Sequence, residues 1–307
     1  MERREFLKKS AAAAFAVGAS SALGNYSNLF AHNLISQKIP YDLVAVKGGE
    51  PDVMFDRAIA SLGGMQQFVK KGQTVVVKPN IGWDVSPERA GNTNPKLVER
   101  IIQHCLNAGA KNIFVFDHTC DNWSRCYSDS GIERVVKSTG GKIVSADSES
   151  YYHDVTFKGG RVMSEAKVHE LILSADVFIN VPVLKNHSSS KLTASMKNLM
   201  GIVWDRGYWH QNNLHQCIAD FSLYRKPDLN VVDAYLVMKR NGPRGVSRED
   251  LVLMKSQILS TDIVAADAAA AKLFGVEPAD IPYIKIADEM KIGTMNLSKL
   301  KINRIII

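Results

Sequence analysis

The sequence predicts an α/β fold: a mostly parallel sheet with helices on both faces, Rossmann-like in outline, with two lobes around a cleft as one form of it. Three observations carry this. Short β-branched apolar runs recur along the chain. Amphipathic stretches long enough for a crossover separate them. Unusual polar residues stand directly after several of the apolar runs.

Thr74-Val75-Val76-Val77 reads as a buried strand, ended by Lys78-Pro79-Asn80. Asn94 is a helix N-cap with Pro95 at the first helical position, and Gly109 closes that helix. Between them Leu97, Val98, Ile101, Ile102, Cys105 and Leu106 recur at helical spacing. Ile113–Phe116 is the next strand, so the unit implies parallel pairing and a right-handed crossover. Residues 131–138 read as helix and Ile143–Val144 as a short strand. Residues 165–173 read as helix leading into the strand Val177–Val181. A polar loop follows, then helices over 191–200 and 212–224, and a strand Leu229–Val232 ending at Asp233. Asp262 starts an Ala-rich helix over 262–274, and Lys301–Ile307 reads as an edge strand or a tail. Residues 40–307 are expected to form a single α/β domain.

Residues 1–31 differ from all that follows. Arg3-Arg4-Glu5-Phe6-Leu7-Lys8 resembles a twin-arginine motif, and an Ala-, Gly- and Ser-rich apolar run from Ala11 to Leu23 comes next. That run is shorter than the roughly 20 residues needed to span a bilayer. The expectation is export by the twin-arginine route to the periplasm or another extracytoplasmic space. A membrane tether through an uncleaved signal is the alternative. Removing residues 1–31, with four basic and two acidic side chains, lowers the formal charge from +7 to +5. What remains is spread along the chain, with no basic block for nucleic acid. The oligomeric state is left open.

Cys105, Cys120, Cys126 and Cys217 are too few for a disulfide scaffold. Cys120 and Cys126, six apart, are read as two free thiols or one local disulfide, and no built-in iron–sulfur cluster is expected. No P-loop, no Gly-x-Gly-x-x-Gly after a strand and no Gly-x-Ser-x-Gly elbow occurs, which disfavours kinase, dehydrogenase and serine-hydrolase chemistry.

Several segments, in this order, resemble the domain-of-unknown-function 362 family. They are Val77-Lys78-Pro79-Asn80, Asn94-Pro95 with Ala108-Gly109-Ala110-Lys111, and Ala175–Pro182 with Leu184-Lys185-Asn186-His187. Lys197-Asn198-Leu199-Met200-Gly201, Asn241-Gly242-Pro243-Arg244-Gly245 and Ser260–Asp267 complete the set. A more distant likeness, at the level of fold, is to nickel-dependent lactate racemase. There an Asp-to-His segment precedes a lysine carrying a nickel-pincer nucleotide. The analogous stretch here runs from Asp176 through His187 to Lys191 or Lys197.

In open α/β sheets ligands sit at the carboxyl ends of strands. Lys78 and Asn80 follow one strand there, Asp117 and His118 another, Lys185, Asn186 and His187 a third, and Asp233 a fourth. Lys78, Asn80, Lys185, Asn198 and Arg244 are candidate ligands for a small anionic molecule. His187 and Lys197 are candidate catalytic groups, His187 for proton transfer and Lys197 as nucleophile or base. His118 and His187 are candidate ligands for a divalent transition metal. The bland alternatives are a solvated Lys78, a loop His187 bonding its own backbone, a turn capped by Asp117, and Lys197-Asn198 on a solvent face. An enzyme on a small anion is the leading reading. A non-catalytic metal- or anion-binding protein is a second. An accessory protein of an exported redox complex, docking through Trp204–His210, is a third. Substituting Arg3→Lys and Arg4→Lys together is expected to leave the precursor in the cytoplasm, as fractionation and immunoblotting would show; undiminished export would remove the twin-arginine reading.

Overall fold

The three consecutive valines at 75, 76 and 77 show how the sheet is covered. Val75 and Val77 belong to one hydrophobic cluster and Val76 to another, all fully buried. Alternate residues of a strand face opposite sides of its sheet, so both sides are packed. The computed structural model describes residues 39–307; residues 1–38, with the signal motif, lie outside the described residues.

The strands are β1 (Leu43–Lys47), β2 (Thr74–Pro79), β3 (Asn112–Val115), β4 (Lys142–Ile143), β5 (Tyr152–Thr156) and β6 (Glu165–His169). They continue as β7 (Val177–Val181), β8 (Val183–His187), β9 (Lys191–Thr193), β10 (Leu229–Met238), β11 (Leu251–Ser260) and β12 (Ile302–Ile306). The helices are α1 (Pro51–Ser61), α2 (Pro95–Asn107), α3 (Trp123–Asp129), α4 (Ile132–Ser138) and α5 (Glu170–Ser174). After these come α6 (Ser195–Asn198), α7 (Arg206–Gln211), α8 (Leu214–Phe221), α9 (Ile263–Phe274) and α10 (Pro282–Glu289).

The main sheet runs β12-β1-β11-β10-β7-β2-β3-β4, with β8 beside β10 and β9 beside β8. Strands β10, β7, β2, β3 and β4 are parallel, and β11 lies antiparallel between β10 and β1. The chain is therefore an α/β fold with a mostly parallel sheet. Helices α1, α2 and α4 bury Phe55, Leu97, Ile101 and Val136 on one face, while α8, α9 and α10 bury Ile218, Ala268 and Ile284 on the other. The described residues 39–307 belong to one compact unit.

The first crossover follows the sequence closely. Asn94 caps α2 through Lys96, Pro95 opens the helix, and β2 pairs β3 in parallel from Thr74↔Asn112 to Val77↔Val115. Three segments depart from expectation. Residues 165–169 are not helical but form β6, which pairs antiparallel with β5; only Glu170–Ser174 turn into helix, behind an His169 side chain that caps Leu171. Residues 191–200 split into β9 and the short α6. Lys191 takes a left-handed φ of 65°, closing the β8–β9 hairpin, and the buried Asp267 carboxylate accepts the N–H groups of Ser195 (2.5 Å) and Met196 (3.0 Å). The strand read to end at Asp233 runs on to Met238, because β8 and β11 both offer it partners. Asp233 is buried instead of facing a ligand, accepting from the N–H of Asn94 (2.7 Å) and of Tyr235 (3.1 Å).

Asp262 ties α9 to the chain near the C-terminus. One carboxylate oxygen takes the N–H groups of Val264 and Ala265, and the other takes that of Thr294. Asp262→Ala is expected to cost about 1–2 kcal/mol, the usual worth of a lost N-cap. Thermal unfolding should register it as a fall of roughly 2–8 °C for a domain of this size.

Candidate functional site

Lys78, Asn80, His118, Lys185, His187, Lys197 and Asn198 line one small cavity of about 60 Å³ at the carboxyl ends of the parallel strands. Asp117, Cys120, Thr193, Gly201 and Arg206 share its wall. The cavity opens where β2 and β3 end and where Pro182 separates β7 from β8.

Its floor is a buried polar network. The Lys78 ammonium, 1 % exposed, meets Asp117 Oδ1 at 2.9 Å, the Asn198 carbonyl at 2.6 Å and Asn198 Oδ1 at 2.8 Å. Lys78 thus donates to both Asn198 oxygens and pairs its charge with Asp117, whose Oδ1 has no hydrogen-bond donor of its own among the described residues, so Lys78 holds the floor together. Burial pulls its pKa down and Asp117 pulls it back up. The other Asp117 oxygen accepts from the N–H of Ile81 at 2.6 Å. The Asn198 amide N–H donates to Asn180 Oδ1 (2.8 Å), and the Asn180 amide N–H donates to Asn230 Oδ1 (3.0 Å), carrying the network across the sheet. Gly201 is required beside it: a Cβ there would lie 1.8 Å from Asp117 Oδ1 and 2.5 Å from Lys78 Nζ.

Lys185 is buried, with its ammonium on the Gly91 carbonyl (2.5 Å) and on Asn80 Oδ1 (3.3 Å), and it has no carboxylate partner. Burial lowers its pKa to about 7. Lys197 is partly buried and its side chain makes no hydrogen bond or ion pair among the described residues. Burial first, helped by Arg206 and Lys78, lowers it to about 8 against the pull of Cys120. Arg206 spends two hydrogen bonds on the carbonyls of His118 (2.8 Å) and Thr119 (2.7 Å), and a third contact on Cys120 Sγ (3.5 Å). Among the described residues four cations thus surround the cavity, and Asp117 is the only carboxylate lining it.

The two histidines differ in state. His187 Nδ1 accepts from the N–H groups of Ser189 (3.1 Å) and Ser190 (3.3 Å), which leaves the proton on Nε2. Burial and the neighbouring Lys197 and Lys185 drive its pKa down to about 3, so the ring is neutral and a donor. Proton abstraction by His187, or ligation of a metal through Nε2, is at odds with this tautomer. His118 is the reverse: its Nδ1 meets the Val203 carbonyl at 2.9 Å, so Nε2 carries the lone pair. Its ring stacks on Trp204, centroids 5.0 Å apart, and burial lowers its pKa. Among the described residues no group of three or more His, Cys, Asp or Glu side chains is placed to hold a metal ion. The residues present therefore do not fit a resident metal. Lys191 is exposed, its Nζ bonded to the Asp280 carbonyl, outside the cavity.

Arg244 stands apart from the cavity lining. It is half exposed and paired with Asp84 (2.6 Å) and Asp121 (3.3 Å), which cancels its charge locally. Arg206 takes the place expected of it. Thr193, 3 % exposed with an Oγ1 unpartnered among the described residues, is a second residue the sequence reading missed. Trp209 is buried against Phe221, so of the Trp204–His210 segment mainly Tyr208, 40 % exposed, offers an aromatic surface. All four thiols are free, Cys120 alone being exposed.

Residues 75–272 match the family described as a domain of unknown function, DUF362, and the chain belongs to that family. It is 29% identical over 246 residues to a thylakoid-associated protein of Synechocystis, covering 75% of this chain and 71% of the relative. Among solved structures, the lactate racemase apoprotein of Thermoanaerobacterium thermosaccharolyticum is similar at 12% identity and a TM-score of 0.47, over 81% of this chain. A Thermotoga maritima protein is similar at 10% identity and a TM-score of 0.44, over 78% of this chain. The chain spans about three-fifths of those two proteins, 59% and 60%.

Gly201→Ala is expected to push Asp117 off Lys78 and strand a buried charge. Breaking a buried pair costs about 3–5 kcal/mol. Urea unfolding should show that loss; a change within about 0.5 kcal/mol would mean the floor yields to the methyl group without losing the pair.

Proposed function

We propose that this member of the DUF362 family is an exported enzyme that binds a small anionic molecule, a carboxylate or phosphate, in the Lys185–Lys197 cavity. One observation carries the reading: Lys78, Lys185, Lys197 and Arg206 line a cavity whose one carboxylate among the described residues, Asp117, is already committed to Lys78. Buried charge without a counter-charge is costly, and a bound anion removes that cost. The donors for it are the one remaining N–H of Lys185, the Lys197 ammonium, His187 Nε2–H and the Thr193 hydroxyl. The volume suits a molecule of a few heavy atoms, not a nucleotide. His118 Nε2, with its lone pair open, is the acid–base group we assign in place of His187. Export rests on the Arg3-Arg4 segment, and a membrane association has support in the name of the Synechocystis relative.

The test is calorimetric titration with acetate, pyruvate and inorganic phosphate across pH. Lysines at about 7 and 8 are cationic below those values and neutral above, so affinity should fall from pH 6 to pH 9. Lys185→Met and Lys197→Met should each weaken binding by roughly tenfold or more, about 1.4 kcal/mol or above. Absence of binding by all three anions would remove the proposal, as would binding indifferent to both substitutions. Bound anion should also raise the melting temperature at pH 6 more than at pH 9.

A further inference from the structure

Three lysines enter this cavity, and two of them have their nitrogens held by protein acceptors. Lys78 is bound by Asn198 and Asp117, and Lys185 by Gly91 and Asn80. Lys197 alone has a side-chain nitrogen free of any partner among the described residues, in a wall that contains two other lysines and an arginine. Its backbone is fixed from both sides. Asp267 grips the start of α6 at Ser195 and Met196, and Asn198 is locked into the floor by Lys78 and Asn180.

We propose that Lys197 is a nucleophile that forms an imine with the carbonyl of a small oxo acid, a carboxylate that also bears a ketone or aldehyde group. The inference rests on the anion-site reading above and names its substrate class. An amine crowded by like charges, whose one carboxylate neighbour in the cavity, Asp117, is paired with Lys78, spends more time with its lone pair available. That agrees with the drop of its pKa to about 8. The substrate carboxylate has separate receptors, because Lys185, His187 Nε2–H and the unpartnered Thr193 hydroxyl need not take part in the reaction. The Lys197 amine adds to the carbonyl carbon, forming the C–N bond and a carbinolamine. The carbonyl oxygen then leaves as water, having taken up the two protons that the amine nitrogen gives up. His118 Nε2, which has an open lone pair, relays these protons. Amine plus carbonyl thus gives imine plus water, with no oxidant or reductant required.

The experiment is reductive trapping of the purified protein with pyruvate or glyoxylate and sodium cyanoborohydride, followed by intact mass measurement and peptide mapping. One substrate-derived carboxyalkyl group on the peptide bearing Lys197 is expected, forming faster at pH 8 than at pH 6. Lys197→Arg, which keeps the charge, should bind acetate and give no adduct. Should that variant not fold, the wild-type peptide map decides by itself. Acetate binding with no adduct from either oxo acid overturns the imine and leaves the anion site standing. An adduct spread over surface lysines, or located on Lys185, overturns it equally. If neither acetate nor an oxo acid binds, both readings fall together.

Discussion

The buried ammonium of Lys78 is the constraint around which the site is arranged. A lysine 1 % exposed at the end of a central strand is tolerable only if its charge and its donors are met. Asp117 from just past β3 meets the charge and Asn198 from α6 takes two of the donors, and these contacts fix how three separate segments approach one another. Gly201 is a consequence: the chain passes so close to the ion pair that a side chain has nowhere to go. The network then runs through Asn180 and Asn230 to the Ser260 carbonyl, so the antiparallel part of the sheet shares the same polar spine.

Once Lys78 has taken Asp117, the remaining cations of the pocket are left without a protein counter-ion. This division gives the cavity its character. One lysine is structural, a second is half engaged, and a third is free. The histidines are divided in the same way by backbone contacts. N–H donors turn His187 into a neutral hydrogen-bond donor, and a carbonyl leaves His118 with an open lone pair. Side-chain identity would have allowed either ring either role.

How far the sequence could be read follows from which interactions are local. Asn94-Pro95 capping α2 and Asp262 starting α9 are settled within a few residues, and both are found where the residue pattern places them. Polar residues at strand ends pointed to the cavity, and Lys78, Asn80, Lys185, His187, Lys197 and Asn198 do meet there. Residues 165–169 and 191–193 became strands because of partners at 152–156 and 183–187, a choice that apolar spacing does not encode. The contacts of Arg244 were hidden for the same reason. Its glycine-rich neighbours suggested a ligand loop, whereas its partners Asp84 and Asp121 come from far along the chain. Arg206 and Thr193 carry no local signature at all.

The long span of the Lys78 contacts also bears on how the molecule reaches its final form. Lys78 and Asn198 are 120 residues apart, and Lys185 and Gly91 are 94 apart. Neither ammonium can leave water until its distant acceptors have arrived, because a partly met charge in the interior is worse than a hydrated one. Closure of loops this long is slow compared with forming a local helix. The sheet can therefore begin to assemble from β2, α2 and β3 alone, but the charged end must stay open and wet until α6 docks. The cationic cavity can close only when segments spread from β2 to α6 have come together.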